Sequence, residues 1–258
     1  MRSVEVLRSG VGPPVVLVHG DVLSARAAWA AQEELAYRFA LRLVNRRGFG
    51  GSPPTQGQDF LVDADDVAEA LEDGAHLVGH SYGGVAALLA AARHPERVRS
   101  LAVIEPAVFS LLPDGPQREN ARIFTERYEE LVSRCYSPES FLQEYLVLVG
   151  TPPQSVPPAL PATLPPALRR ALVTQMRGKR PWEARIPVET LARAEFPRLV
   201  VSGGHNELFE ATCSALADAI SADRAVLPWS GHAAQALGAP FNDALTHMWE
   251  REAALSHR

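Results

Sequence analysis

Ser81 lies in the string Gly79-His80-Ser81-Tyr82-Gly83, extended by Gly84, directly behind the apolar pair Leu77-Val78 and ahead of an alanine-rich run from Val85 to Ala92. A serine between a strand-forming and a helix-forming stretch, with small residues on both sides, sits on a sharp turn that lifts its hydroxyl out of the sheet. The amide of Tyr82 and the positive end of the following helix then face any oxyanion formed when that hydroxyl attacks a carbonyl. Such a hydroxyl is a poor nucleophile until a base takes its proton, so a histidine must lie within hydrogen-bond reach. Of the eight histidines, His76, His94, His247 and His257 fall on or beside regular elements where structural or surface roles suffice. His19 lies on the strand side of a turn and is expected to be structural, and the side chain of His80 should diverge from the serine. His232 follows a strand, is preceded by Gly231 and belongs to a loop at the same sheet edge as Ser81, which makes it the candidate base.

A third group must orient the imidazole and support its charge. The loop after Val201, Gly203-Gly204-His205-Asn206-Glu207, has no aspartate. Glu105, at the end of the strand Val98–Ile104, is the first candidate and Glu207 the alternative; Asn206 can hold a tautomer but brings no charge. A second oxyanion donor should come from the loop after Val15–Val18, His19-Gly20-Asp21, with the Asp21 N–H in that role beside that of Tyr82. A carboxylate aimed into an oxyanion site opposes the charge to be stabilised, so the Asp21 side chain is expected to turn outward and cap a helix beginning near Ser24.

The elements that must position these groups follow a strand–helix alternation. An edge strand is predicted at Val4–Leu7, and buried-type strands at Val15–Val18, Ala40–Val44, Leu77–Val78, Val98–Ile104, Arg198–Ser202 and Arg224–Leu227. Helical spacing covers Ser24–Phe39, a helix ending near Leu71 with the acids Asp63, Asp65 and Asp66 at its start, the run after Ser81, Glu210–Ile220 and Pro240–Leu255. The glycine-rich loop Asn45–Pro54 lacks the G-K-[ST] ending of a phosphate cradle. Between residues 107 and 195 the alternation breaks: helices are predicted at Gln117–Arg134, Pro138–Val149 and Ala167–Met176, with a proline-rich passage from Thr151 to Pro166. The chain therefore divides into an α/β core of residues 1–106 and 196–258 and an inserted helical cap of residues 107–195. Phe109, Phe124, Tyr128, Phe141, Tyr145 and Trp182 are the candidates to line a substrate pocket under that cap, although packing the cap itself is the commoner fate of such residues.

With 258 residues the chain can bury a full core. A net charge of −5 without a basic stripe gives nucleic-acid binding no support. Cys135 and Cys213 are far apart and form no metal-spaced pair, which suits a reducing compartment. The charged N-terminal stretch does not read as a signal peptide, and no apolar run is long enough to span a bilayer. The expectation is a cytoplasmic protein acting on a small molecule, without nucleic-acid or membrane partners; oligomeric state is not legible.

Taken together and in order, His19-Gly20, Asn45-Arg46-Arg47-Gly48-Phe49-Gly50-Gly51-Ser52, Gly79-His80-Ser81-Tyr82-Gly83-Gly84 and Gly231-His232 resemble the α/β-hydrolase superfamily through most of the chain outside the cap. The resemblance implies a mostly parallel, doubly wound sheet with a helical cap. It also implies a Ser81–His232–Glu105 triad, an acyl-enzyme, hydrolysis of a carboxylic ester or lactone, and no metal or organic cofactor. Two departures stand out. Asn45 replaces the acid that usually opens its loop, and the triad aspartate usual after the later strand is missing; a branch resembling haloalkane dehalogenases takes its acid where Glu105 stands, though with an aspartate nucleophile. Because one fold hosts many reactions, rivals are a carbon–carbon bond hydrolase, a lyase, a cofactor-free haloperoxidase, a cyclising thioesterase and a silent small-molecule-binding protein.

Overall fold

The structure is a computed structural model that describes residues 3–135, 137–151 and 163–256. Most of the proline-rich passage and His257 lie outside the described residues. Seven strands form one sheet: β1 (Val6–Ser9), β2 (Pro14–Val18), β3 (Ala40–Val44), β4 (Ala75–His80), β5 (Val98–Ile104), β6 (Arg198–Ser202) and β7 (Asp223–Val226), in the order β1-β3-β2-β4-β5-β6-β7. Only β1 pairs antiparallel, with β3; the other pairings are parallel. The central strands β2, β4 and β5 carry aliphatic residues on both faces because helices cover both. Val16, Val18, Leu77 and Val103 pack beneath α2 (Phe60–Leu71) and α3 (Tyr82–Arg93). On the opposite face Val15, Leu17, Val78 and Ile104 meet Trp29, Phe241 and Trp249, the last two from α9 (Ala239–Ser256).

The stretch expected to be one helix from Ser24 to Phe39 is a single turn of α-helix, α1 (Ala25–Ala28), followed by a 3₁₀ segment, Ala30–Tyr37. Helix α2 starts earlier than expected, at Phe60, capped by the Asp59 side chain on Leu61 N–H. Asp63, Asp65 and Asp66 are therefore within the helix rather than ahead of it.

Chain order from β2 runs outward through β3 and then returns to place β4 on the other side of β2, so the loops after β2 and β4 open into the same crevice. Ligands bind at such a reversal in open α/β sheets. Between β5 and β6 the chain leaves the sheet for α4 (Pro116–Arg134), α5 (Pro138–Leu148), α6 (Pro166–Arg177) and α7 (Val188–Arg193). Helices α4, α5 and α6 share a hydrophobic cluster with Leu208 and Phe209 of α8 (Glu207–Ala219), which seats them over the carboxyl edge of the sheet. Among the described residues no helix is long and apolar enough to cross a membrane.

Candidate active site

Ser81 follows the last residue of β4 and has φ 52°, ψ −120°, a left-handed-side conformation that costs a non-glycine residue of the order of 1–3 kcal/mol. The tight turn survives because its neighbours lack side chains. A Cβ on Gly79 would stand 2.6 Å from Gly83 O, and one on Gly83 would overlap the carbonyls of Val18 and His19. Tyr82 opens α3, where helix geometry leaves an N–H without an intrahelical acceptor.

Three side chains from three loops meet at this edge. His232 Nε2 lies 2.9 Å from Ser81 Oγ, and His232 Nδ1 lies 2.7 Å from Glu105 Oε2. The second carboxylate oxygen of Glu105 accepts from Gly203 N–H at 2.7 Å. Glu105 is fully buried, at φ 42°, one residue beyond β5. Burial pushes its carboxyl up, but His205 and His232, one beside each carboxylate oxygen, outweigh that and hold it at about 2. The alternative acid, Glu207, does not join the cluster. It is an exposed first residue of α8, and Asn206 is occupied as that helix's cap, accepting from Leu208 and Phe209 N–H. Glu207→Gln is expected to leave turnover within about two-fold of the parent, since a surface charge away from specific contacts contributes little; steady-state kinetics on any hydrolysed ester checks this.

His80 turns from Ser81 and donates Nε2–H to the carbonyl of His232 at 2.9 Å, so it braces the backbone that carries the base. Burial pushes this imidazole down to about 3, which keeps it neutral, and the carbonyl acceptor places its one proton on Nε2. His19 is structural, as expected: Nδ1–H donates to Gly20 O and Nε2 accepts from Arg46 N–H.

The Asp21 side chain does not turn outward. It is buried and bonded to Arg46 Nη2 at 3.0 Å, and the cap of α1 is supplied instead by Asn45 Oδ1 on Ala25 N–H at 2.8 Å. Arg46 explains the inversion. Its guanidinium also reaches Asp63 at 3.0 Å and the carbonyls of His19 and Gly20, and lies between the rings of Phe49 and Tyr82. A fully buried cation with that many donors holds Asp21 and the Gly20 carbonyl together, so the negative charge facing the crevice has its own counter-ion. Asp63 sits in the same network, where burial raises its carboxyl to about 6. Asn45 also donates to the Glu5 carboxylate at 2.6 Å. An aspartate there could not make that bond, which accounts for the amide.

Above Ser81 is a cavity of about 620 Å³. Its walls combine Leu142, Tyr145 and Leu146 of α5 with Leu168 of α6, and it reaches Trp229 and Leu237 at its rim. Among the described residues no lysine or arginine lines it. Of the six aromatic residues expected to line a pocket, only Tyr145 does so. Phe109, Phe124, Tyr128, Phe141 and Trp182 pack edge-to-face or stacked on one another inside the cap, where they hold α4 and α5 together. Aliphatic residues of α5 and α6 form the wall instead: α5 turns Phe141 inward against Tyr128 of α4, and α6 carries no aromatic residue. The residue missed by sequence reasoning is His205, which lies beside Glu105 Oε1, the carboxylate oxygen that His232 does not use. Its signal was a histidine directly after a glycine pair at the carboxyl end of a strand.

The description Alpha/beta hydrolase family belongs to the family model that matches residues 15–247. The chain is a member of that family. Among curated relatives, the chain is 38% identical over 104 residues to a Pimeloyl-[acyl-carrier protein] methyl ester esterase of Aeromonas salmonicida (strain A449), covering 40% of this chain and 41% of the relative. It is 33% identical over 145 residues to the protein of the same name from Chromobacterium violaceum, covering 55% and 56%. The chain thus spans about half or less of the length of these relatives. Among solved structures, a thermophilic esterase from Thermogutta terrifontis superposes with TM-score 0.66 at 25% identity, covering 96% of this chain and 93% of that one.

Proposed function

We propose that the protein is a serine hydrolase that cleaves a carboxylic ester or lactone of a medium-sized, uncharged organic substrate through an acyl-enzyme. The observation that carries this reading is the hydrogen-bonded chain from Ser81 Oγ through His232 to the buried Glu105 carboxylate, at the floor of an apolar cavity. The family relatives named as methyl ester esterases support an ester as the bond attacked.

Ser81 Oγ attacks the acyl carbon while His232 Nε2 takes its proton, and Glu105 Oε2 stabilises the imidazolium through Nδ1–H. The amides of Tyr82 and Asp21 hold the oxyanion. The same imidazolium gives its proton to the leaving alcohol oxygen as the C–O bond breaks. A water then attacks the acyl-enzyme with His232 as base, the acid departs and Ser81 regains its proton. Tying the Asp21 carboxylate to Arg46 removes the repulsion that would oppose this oxyanion.

The aliphatic wall of α5 and α6 fits an apolar chain. In a series of p-nitrophenyl esters from acetate to hexanoate, kcat/KM is expected to rise about four-fold per methylene, the gain for burying one CH₂ at about 0.8 kcal/mol. A terminal carboxylate on the same chain is expected to reverse that gain, because among the described residues no lysine or arginine lines the wall. A series flat in chain length, or one that prefers the carboxylate, would contradict the substrate class.

A further inference from the structure

His205 sits on the loop between β6 and α8 with its side chain largely buried. Its two ring nitrogens face two acceptors from opposite directions. Nδ1 is 3.4 Å from Glu105 Oε1, and Nε2 is 3.2 Å from the carbonyl oxygen of Val149, just past the end of α5. The Nδ1 contact is long and off-line for a hydrogen bond, so it is mainly a charge contact. A neutral imidazole has only one N–H and cannot offer a donor to both acceptors; an imidazolium can. The ring is further fixed by stacking on Phe209, and Gly150 at φ 74° brings the backbone against its edge where a Cβ would fall 2.7 Å from Cδ2.

We propose that His205 is a positioning residue of the site that works as an imidazolium, bracing Glu105 at the carboxylate oxygen His232 does not use and tying it to the wall of the substrate cavity at Val149. This rests on the reading of Ser81, His232 and Glu105 given above. Val149 itself lines the cavity, so the brace links the acid to the segment a substrate touches. The groups that set the charge of His205 come from each element around it. Glu105 at the end of β5 and Glu210 of α8 favour the cation, with the Val149 carbonyl beyond α5; Glu210 is itself shared with Arg224 of β7 and with Gly204 N–H. His232, with ring centroids 6.4 Å away, is the group that His205 opposes when both are charged. Burial pushes His205 down, but the Glu105 carboxylate beside Nδ1 outweighs it, and the net displacement is upward.

One carboxylate thus serves two histidines. A cation at His205 disfavours a second positive charge in the cluster and takes part of Glu105's field, so removing it makes the cluster easier to protonate. In His205→Gln the acid limb of the kcat/KM profile is expected to move upward by roughly 0.5–1 pH unit, with kcat lowered more than KM is raised. A residue that merely packed would lower stability or rate and leave the limb in place.

The deciding measurement is an NMR titration of the ring carbons in protein labelled at histidine, read on the intact parent and on Glu105→Gln, beside the pH–rate profiles of the parent and His205→Gln. The proposal requires a His205 ring that remains imidazolium above the ordinary histidine midpoint in the parent and loses its proton at lower pH when Glu105 is neutral. A His205 ring already neutral at pH 6 in the parent, or one insensitive to Glu105→Gln, overturns it, as does an unmoved acid limb in folded His205→Gln. Because the ring titration needs no turnover, a failure of ester hydrolysis leaves this test readable and is told apart from a failure of the brace.

Discussion

Glu105→Gln lowers kcat/KM for ester hydrolysis by about 10³–10⁴-fold while the protein remains folded. The size follows from the bonds the carboxylate makes. Oε1 accepts from Gly203 N–H and Oε2 faces His232 Nδ1. An amide presents one oxygen and one NH₂. With its oxygen on Gly203, its NH₂ points at Nδ1 and selects the tautomer whose Nε2 carries a proton, which cannot accept one from Ser81. Flipped, it sets two donors against each other at Gly203, and it carries no charge in either case. Stability changes too, with a defined sign. Glu105 is held at about 2, below the ordinary carboxylate value, so its contribution is fully present above about pH 4.5 and is lost as the pH falls towards 2. Denaturation midpoints across that window should fall more steeply for the parent than for the variant. Steady-state kinetics and urea unfolding check both parts, and turnover within ten-fold of the parent would remove Glu105 from the proposed role.

Arg46→Met carries the largest expected effect on stability, a loss of about 3–5 kcal/mol, because it leaves two buried carboxylates without their counter-ion and removes donors from the His19 and Gly20 carbonyls, of which Gly20 keeps His19 Nδ1–H. Asp21 and Asp63 cannot both stay ionised without the guanidinium, and protonating them restores part of the loss. The variant should therefore lose more stability between about pH 5 and pH 8 than the parent, whose Asp63 also titrates at about 6 but beside the guanidinium. The same change frees the Asp21 carboxylate at the edge of the oxyanion site, so any folded fraction should also turn over slowly. Arg46→Lys keeps the charge but not the fork, and falls between the two. Thermal and chemical unfolding at both pH values decides the matter; a stability unaffected by Arg46→Met would mean that the network is not what holds the loop.

Much of this site is legible in the sequence because its signals are local. Ser81 is specified by its immediate neighbours: Leu77-Val78 before, Gly79 and Gly83 around, alanines after. Glu105 and His232 were placed by the simplest long-range rule available, that residues at the carboxyl ends of parallel strands gather at one edge, and the structure brings their side chains together. What failed depends on partners distant in sequence. Asp21 looks like a local helix cap until Arg46, 25 residues away, is seen to reach it. His205 looks like an ordinary loop residue until the end of α5 and the end of β5 converge on it. The cap aromatics were chosen by type, and type does not say which side of a helix faces a cavity and which faces another helix. The 3₁₀ segment Ala30–Tyr37 has helical apolar spacing, which periodicity over so few residues does not separate from an α-helix.

The central claim is that His232 activates Ser81 for attack on an acyl carbon, and the most direct measurement is intact-mass detection of covalent labelling by a fluorophosphonate. The reagent is applied to the parent, Ser81→Ala and His232→Ala, each first shown to be folded by circular dichroism. The mechanism predicts a single adduct on the parent, mapped to Ser81 by peptide sequencing, none on Ser81→Ala, and labelling slowed by at least about 10³-fold on His232→Ala. A folded parent that takes no label, or a label that persists on Ser81→Ala, would contradict it.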